Sequence, residues 1–443
     1  IGHYVDPDIS RREVARHSER DADATARFDR DIMRQCSFIR QFLLRTPPDP
    51  TSFKPRDLLE LLYLSKEALK LGEDLIYDTM RFYTMSIADF LEEYFENPLV
   101  RASHSGSGII GSALGVMSPG TAYVLLHHAM GDVDGSMGAW GFARGGMGAI
   151  ADAMHDCFID SGGETVAGSA VEQIIVRNGR ARGVALENGN EYEADVVVSN
   201  MTLPQTFLNC MDPKDLDAGF LKTVKNFKSR GSSGKLNIAL DGLPKFTALP
   251  EGSELIRGDM HLIDSTERLE RAYDDWKNGM WSQDPYIDML IPSLTDPTMT
   301  PPGKHFMSVF VQYVPPKVKG KDWTDEQVQQ FGQTVVNQIE EYAPGFKDLI
   351  LHMEVRTSPG FEQDINLTSG NIFHGELTMD QLMFNRPLPG FAQYRGPVKG
   401  MYLCGSSTHP GGGVMAAPGA NAAREILGDL KKTNTVPEGW LDD

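Results

Sequence analysis

The sequence predicts an α/β chain of two interleaved domains, and three observations carry that reading. The 443 residues exceed the ~100–200 that one domain usually holds. Residues 402 to 427, YLCGSSTHPGGGVMAAPGANAAREIL, read as a short strand, a glycine loop and a small-residue helix. Residues 201 to 365 mix helical and strand periods in another style, as an inserted α+β domain would.

Composition narrows the classes of function. Hydrophobic residues make up 41% of the chain and glycines number 44, which fits a globular protein and excludes collagen, coiled coil and low-complexity chains. The charge sum, 42 basic against 61 acidic, is −19 with the acids scattered, so nucleic acid and anionic membrane surfaces are poor partners. Cys36, Cys157, Cys210 and Cys404 stand far apart without a CxxC pair or a Cys/His cluster of ligand spacing. No metal site, redox dithiol or disulfide framework is expected, and a reducing compartment is. No run of ~18 apolar residues would span a membrane; a peripheral membrane or protein contact stays open. The first residue is Ile1 rather than Met, within a polar segment, so a truncated or processed chain is expected.

Taken in order, residues 10 to 45 are densely charged with Val14, Phe28, Ile32, Phe38 and Phe42 near the helical period, ending at Pro47-Pro48. Helices follow at 56 to 71 and at 86 to 95, the second capped by Ser86. Charge then nearly vanishes: between Ala102 and Ala151 only Asp132, Asp134 and Arg144 are charged, and none is between Gly400 and Ala423. Both zones are broken by Gly, Ser and Pro, which suits backbone lining a buried cavity as well as ordinary core. GGMGAIADAMHDCFIDSGG, from Gly145, forms a helix with Met147, Ile150, Met154, Cys157 and Phe158 on one face, closed by Gly162.

Next come β-branched runs punctuated by Asn178-Gly179 and Asn188-Gly189, a three-stranded meander, and the apolar strand Val196-Val197-Val198. The inserted region carries helices at 215 to 228, 265 to 278 and 324 to 341, with strands at 235 to 241, 286 to 292, 305 to 314 and 350 to 357. A strand over Met401 to Cys404 and a helix from Pro418 to about Leu430 end the chain.

Among the motifs, Gly106, Gly108 and Gly111 spell GxGxxG with Asp132 at the distance of a ribose-binding acid. The preceding NPLVRASHS cannot be the buried first strand that fingerprint needs, so the match is a decoy. The stronger signal is the loop after Cys404. Glycines at 405, 411, 412 and 413 leave amides uncovered before a helix rich in Ala, an arrangement suited to a pyrophosphate or an electron-rich heterocyclic edge. His127, His128 and His409 could move a proton, or serve packing and loop hydrogen bonds; His409 is the candidate inside the loop. Met117, Met130, Met137, Met147 and Met415 could line an apolar cavity or fill core.

These residues resemble the phytoene desaturase-like FAD-dependent oxidoreductases, within the wider amine-oxidase-type flavoprotein group. The string 402 to 427 is similar to their flavin-binding signature, RGGMGAIADAM at 144 to 154 to their glycine-pair helix, and SAVEQIIVRNGRARGVALENG to the hairpin whose valine, Val171 here, meets the adenine. GTAYVLLHHAMGDVDGSMGAWGFARGGMG at 120 to 148 resembles the pyridine nucleotide-disulfide oxidoreductase domain-containing branch, although no CxxC pair is present.

The resemblance implies a two-domain fold with FAD held by Val171, Gly405, Gly411, Gly412, Gly413, Val414 and Met415. It implies helical substrate-domain segments over 1–142, FAD-domain segments over 143–200 and 366–443, and a substrate domain over 201–365. The activity implied is desaturation or dehydrogenation of an apolar, unsaturated small molecule. The alternatives are a redox-neutral polyene isomerase and a non-catalytic interaction protein on a flavoprotein scaffold. Members of the group begin with a strand, a GxGxxG loop, a helix and an acidic ribose ligand. That βαβ unit is missing from this chain, which is therefore expected to be a fragment holding FAD weakly. The expected location is the cytoplasm of a bacterium or the mitochondrial matrix of a eukaryote.

Overall fold

The computed structural model describes residues 1–431 apart from residues 71 and 134. The chain folds into two compact units. One holds Ile1–Ser37, Tyr77–Val166 and Arg230–Ile372; the other holds Phe38–Ile76, Ala167–Ser229 and Phe373–Asp443, whose last twelve positions lie outside the described residues. Among the described residues no helix is long and apolar enough to cross a membrane.

The first unit is built on a five-stranded sheet in the order Ile350–Arg356, Ser233–Leu240, His305–Gln312, Tyr286–Leu290, Met260–Leu262, with every neighbouring pair antiparallel. Alternation along the strands sorts the side chains. Leu236, Ile238, Met307, Val309, Ile287 and Met289 share a core with Phe331, Val335 and Ile339 of helix Asp325–Tyr342. That helix starts at a capping box formed by Thr324 and Gln327, which satisfies two otherwise orphaned amides. The opposite face carries Lys235, Asn237, Ser308 and Asp288; Lys235 Nζ donates to Ser308 Oγ and Asn237 Nδ2 to Glu354 Oε2 at 3.0 Å.

Helices Ile87–Glu92, Pro98–Ser105 and Thr121–Ala129 belong to the same unit, and the Ser86 hydroxyl accepts from the Asp89 amide at 3.0 Å as its sequence position demands. The GxGxxG string proves to be packing. Gly106–Gly108 is a single 3-10 turn directly after helix Pro98–Ser105, and an added Cβ would lie 2.4 Å from the Tyr286 hydroxyl at Gly106 and 2.8 Å from Ile87 at Gly108. Helix Met147–Asp160 also falls in this unit and buries no residue: Met147 is 59% exposed, Met154 57% and Phe158 50%.

The second unit contains the expected meander, Val171–Arg177, Arg180–Leu186 and Glu191–Glu193, beside a parallel pair, Val197–Ser199 with Met401–Leu403. Ile174, Val197, Phe207, Phe220, Leu388, Met401 and Leu403 form its core. Residues 143–166 go with the first unit, and 38–76 and 201–229 with the second. The Asn-Gly turns mark where the chain reverses, which is not where it changes the core it serves.

Candidate functional site

The site is built from the end of the parallel pair. The Cys404 amide donates to Ser199 O at 2.9 Å, and at Gly405 an added Cβ would stand 2.3 Å from Asn200 O, so only glycine allows this approach. The amide and the hydroxyl of Thr408 then both donate to Gly405 O, at 2.9 and 2.8 Å, turning the chain back. Farther along, Gly411 (φ 113°), Gly413 (φ 132°), Val414 (φ 53°) and Ala416 (φ 52°) lie at positive φ. For a β-branched valine this is a costly conformation, of the kind that collects at functional sites. Gly411 is buried, Gly412 and Met415 are partly buried, and Gly413 and Val414 face outward, Val414 at 72% exposure. Helix Ala417–Asp429 follows with no side chain capping its first amides, which leaves them and the positive end of its dipole available to a ligand.

Beneath the loop lies Arg386, fully buried. Its guanidinium donates to Phe373 O at 2.8 Å, Ser406 O at 2.7 Å, and Gly375, Glu376 and Gln381 carbonyls at 3.3 to 3.4 Å. A trans peptide directs its N–H opposite to its C=O. Carbonyls gathered inward by Arg386 therefore turn the following amides, that of Ser407 among them, the other way.

His409 is 6% exposed; its Nε2–H donates to Phe42 O at 3.0 Å, and its carbonyl accepts from the Tyr394 hydroxyl at 2.7 Å. Burial, first among the causes, lowers its pKa to about 4. An imidazole that is neutral and committed to a backbone carbonyl braces the loop and is a poor proton carrier near pH 7. Asn421 of the following helix adds a second brace, donating to the Tyr394 hydroxyl at 2.8 Å and to Leu43 O at 3.0 Å. Val171 begins its strand partly buried, with its carbonyl accepting from Cys210 Sγ at 3.6 Å.

The other sequence candidates scatter. His128 donates from Nδ1 to Val124 O at 2.9 Å, and its pKa is lowered by burial. Met130 is core at 6% exposure, whereas Met117 and Met147 are more than half exposed. A cavity of about 260 Å³ in the second unit is walled by Arg45, Arg56, Glu60 and Glu425, with Arg56 paired to Glu425 and Arg45 to Glu60. It is smaller than most ligand sites and too charged for an apolar ligand.

Sequence reasoning missed Arg386, Tyr394 and Asn421. An isolated Arg-Pro pair carries no spacing signal, and only the fold brings it under the loop.

Comparison with known proteins places these features in context. The sequence profile of flavin-containing amine oxidoreductases matches residues 23–427. The chain is 37% identical over 441 residues to pyridine nucleotide-disulfide oxidoreductase domain-containing protein 2 of Mus musculus, covering 96% of this chain and 76% of that one. It is 25% identical over 312 residues to a lycopene-forming phytoene desaturase of Pseudescherichia vulneris, 70% of this chain and 58% of that one. A redesigned putrescine oxidase superposes with a TM-score of 0.53 at 12% identity, over 94% of this chain and 76% of that one, a likeness of fold alone.

Proposed function

The chain belongs to the family of flavin-containing amine oxidoreductases, and from that premise we propose that it is an FAD-dependent oxidoreductase acting on an apolar, unsaturated small molecule. The fold is of the amine-oxidase type and the cofactor class is flavin.

The observation that carries it is the loop Gly411–Met415, exposed at Gly413 and Val414, leading into the uncapped start of helix Ala417–Asp429. The loop fits a flavin edge. Its exposed residues are small or bare, its backbone is held in positive φ, and the helix dipole favours negative charge at that point. Gly405, Gly411, Gly412, Gly413, Val414 and Met415 would hold the ring system, with Arg386 fixing the peptide planes and Val171 at the adenine. FAD supplies two-electron redox chemistry when bound. The protein's part is to orient, to exclude water and to keep His409 neutral. The apolar, unsaturated substrate rests on similarity to a protein named for phytoene desaturation.

Gly413→Val tests the reading. FAD titrated into the wild-type chain should quench flavin fluorescence saturably, and the folded variant should bind at least ~10-fold more weakly, because a branched side chain at φ 132° forces the loop backbone to shift. Equal binding by both would remove the loop from the site.

A further inference from the structure

We propose that Asp259, His261 and Asp288 form a binding site for a divalent transition-metal ion, Zn²⁺ or Mn²⁺, on the polar face of the five-stranded sheet. His261 and Asp288 are directly paired across strands Met260–Leu262 and Tyr286–Leu290, and Asp259 immediately precedes the first of these. His261 Nε2 lies 2.9 Å from Asp259 Oδ2 and 3.6 Å from Asp288 Oδ2, and one ligand atom from each residue falls within 4.8 Å of the other two. Metal bonds of about 2.0–2.2 Å place neighbouring ligand atoms roughly 3–3.5 Å apart, close to the spacing of the His261 nitrogen from each carboxylate. One imidazole and two carboxylates suit a borderline ion better than Ca²⁺ or Mg²⁺. Asp259 is 40% exposed while His261 and Asp288 are 22% and 15%, which gives an entry path and open positions for solvent ligands.

Two carboxylates this close repel unless a proton or a cation lies between them. His261 Nε2 stands beside both carboxylates, and an ion between them would take all three residues as ligands. Lys235 also faces Asp288, with its Nζ donating to Ser308 Oγ.

A second observation does not depend on the three ligands. Tyr286 stands two residues before Asp288 on the same strand face, is 1% exposed, and its hydroxyl has no hydrogen-bond partner among the described residues. Its ring centroid is 5.6 Å from that of His261, both carboxylates act electrostatically on its hydroxyl, and Gly106 walls the other side of that hydroxyl. A buried hydroxyl left over beside a ligand set is what a water carried in by an ion would satisfy. The sequence expectation of no metal rested on Cys and His spacing, which strand pairing bypasses.

The test is titration calorimetry of the chelator-treated 443-residue chain with ZnCl₂ and, separately, MnCl₂. One ion per chain is expected for at least one metal, with Asp288→Asn and His261→Gln each weakening binding at least ~10-fold and Asp348→Asn leaving it unchanged. Thermal melts check folding, and if Asp288→Asn unfolds, His261→Gln decides. Absence of saturable binding of both ions, or equal affinity in folded variants, overturns the proposal.

Discussion

The five-stranded sheet of the first unit and the parallel pair of the second are held by opposite means. In the sheet, eight-residue strands Ser233–Leu240 and His305–Gln312 share their core with a whole helix, and each buried side chain is one of many. In the pair, three residues meet three, and the loop they launch takes its shape from one arginine, one histidine and one asparagine. The difference teaches that order can be spread over a surface or concentrated at a point. A loop that must leave its amides open to a ligand cannot use those amides to stabilise itself, so it depends on a few buried side chains.

Three substitutions would break or sharpen this contrast. Arg386→Met removes the point support and leaves several buried carbonyls without donors, each costing about 1–3 kcal/mol. A loss of about 4 kcal/mol in a urea melt is expected, with Arg386→Lys recovering little because three ammonium donors cannot replace a five-donor fork. A cost below about 1 kcal/mol would mean that the loop is as redundant as the sheet.

The second concerns pH. His409 has its folded pKa lowered from 6.5 to about 4. The unfolded chain therefore binds a proton that the folded chain refuses: stability is full above pH 6.5 and falls as pH drops toward 4, by about 3 kcal/mol at most. His409→Gln should flatten the acid limb of a melt-versus-pH curve. An unchanged limb would assign the acid sensitivity to other imidazoles such as the half-buried His104, whose pKa burial also lowers. Smallest is Ile238→Val in the sheet core, which should cost about 1 kcal/mol in the same melt. A loss as large as that of Arg386→Met would show that the sheet, too, rests on single contacts.

Much of the fold was legible where period and punctuation agree. The meander was readable because Asn178-Gly179 and Asn188-Gly189 permit only a tight reversal, and helix Asp325–Tyr342 because Thr324 and Gln327 announce it. Helices Glu73–Thr84, Pro98–Ser105 and Thr121–Ala129 were passed over, the last inside the uncharged zone, where Gly120 at φ 88° is the residue before its first turn. For the site, the strand, glycine loop and helix could be read from residue types alone, since glycine and bare helix starts are local features. Arg386 and the Asp259, His261 and Asp288 group could not. Their roles arise from side chains brought together by strand pairing and by folding over a distance, and nothing in their immediate sequence marks them.

Helix Met147–Asp160 has a chemical consequence. Met147 and Met154 stand more than half exposed on one stripe with Phe158. Thioethers in such a position are open to peroxide, and conversion to sulfoxides turns flexible apolar side chains into polar ones. Oxidation of this stripe would erase its hydrophobic character while buried Met289 and Met307, both at 0% exposure, keep theirs.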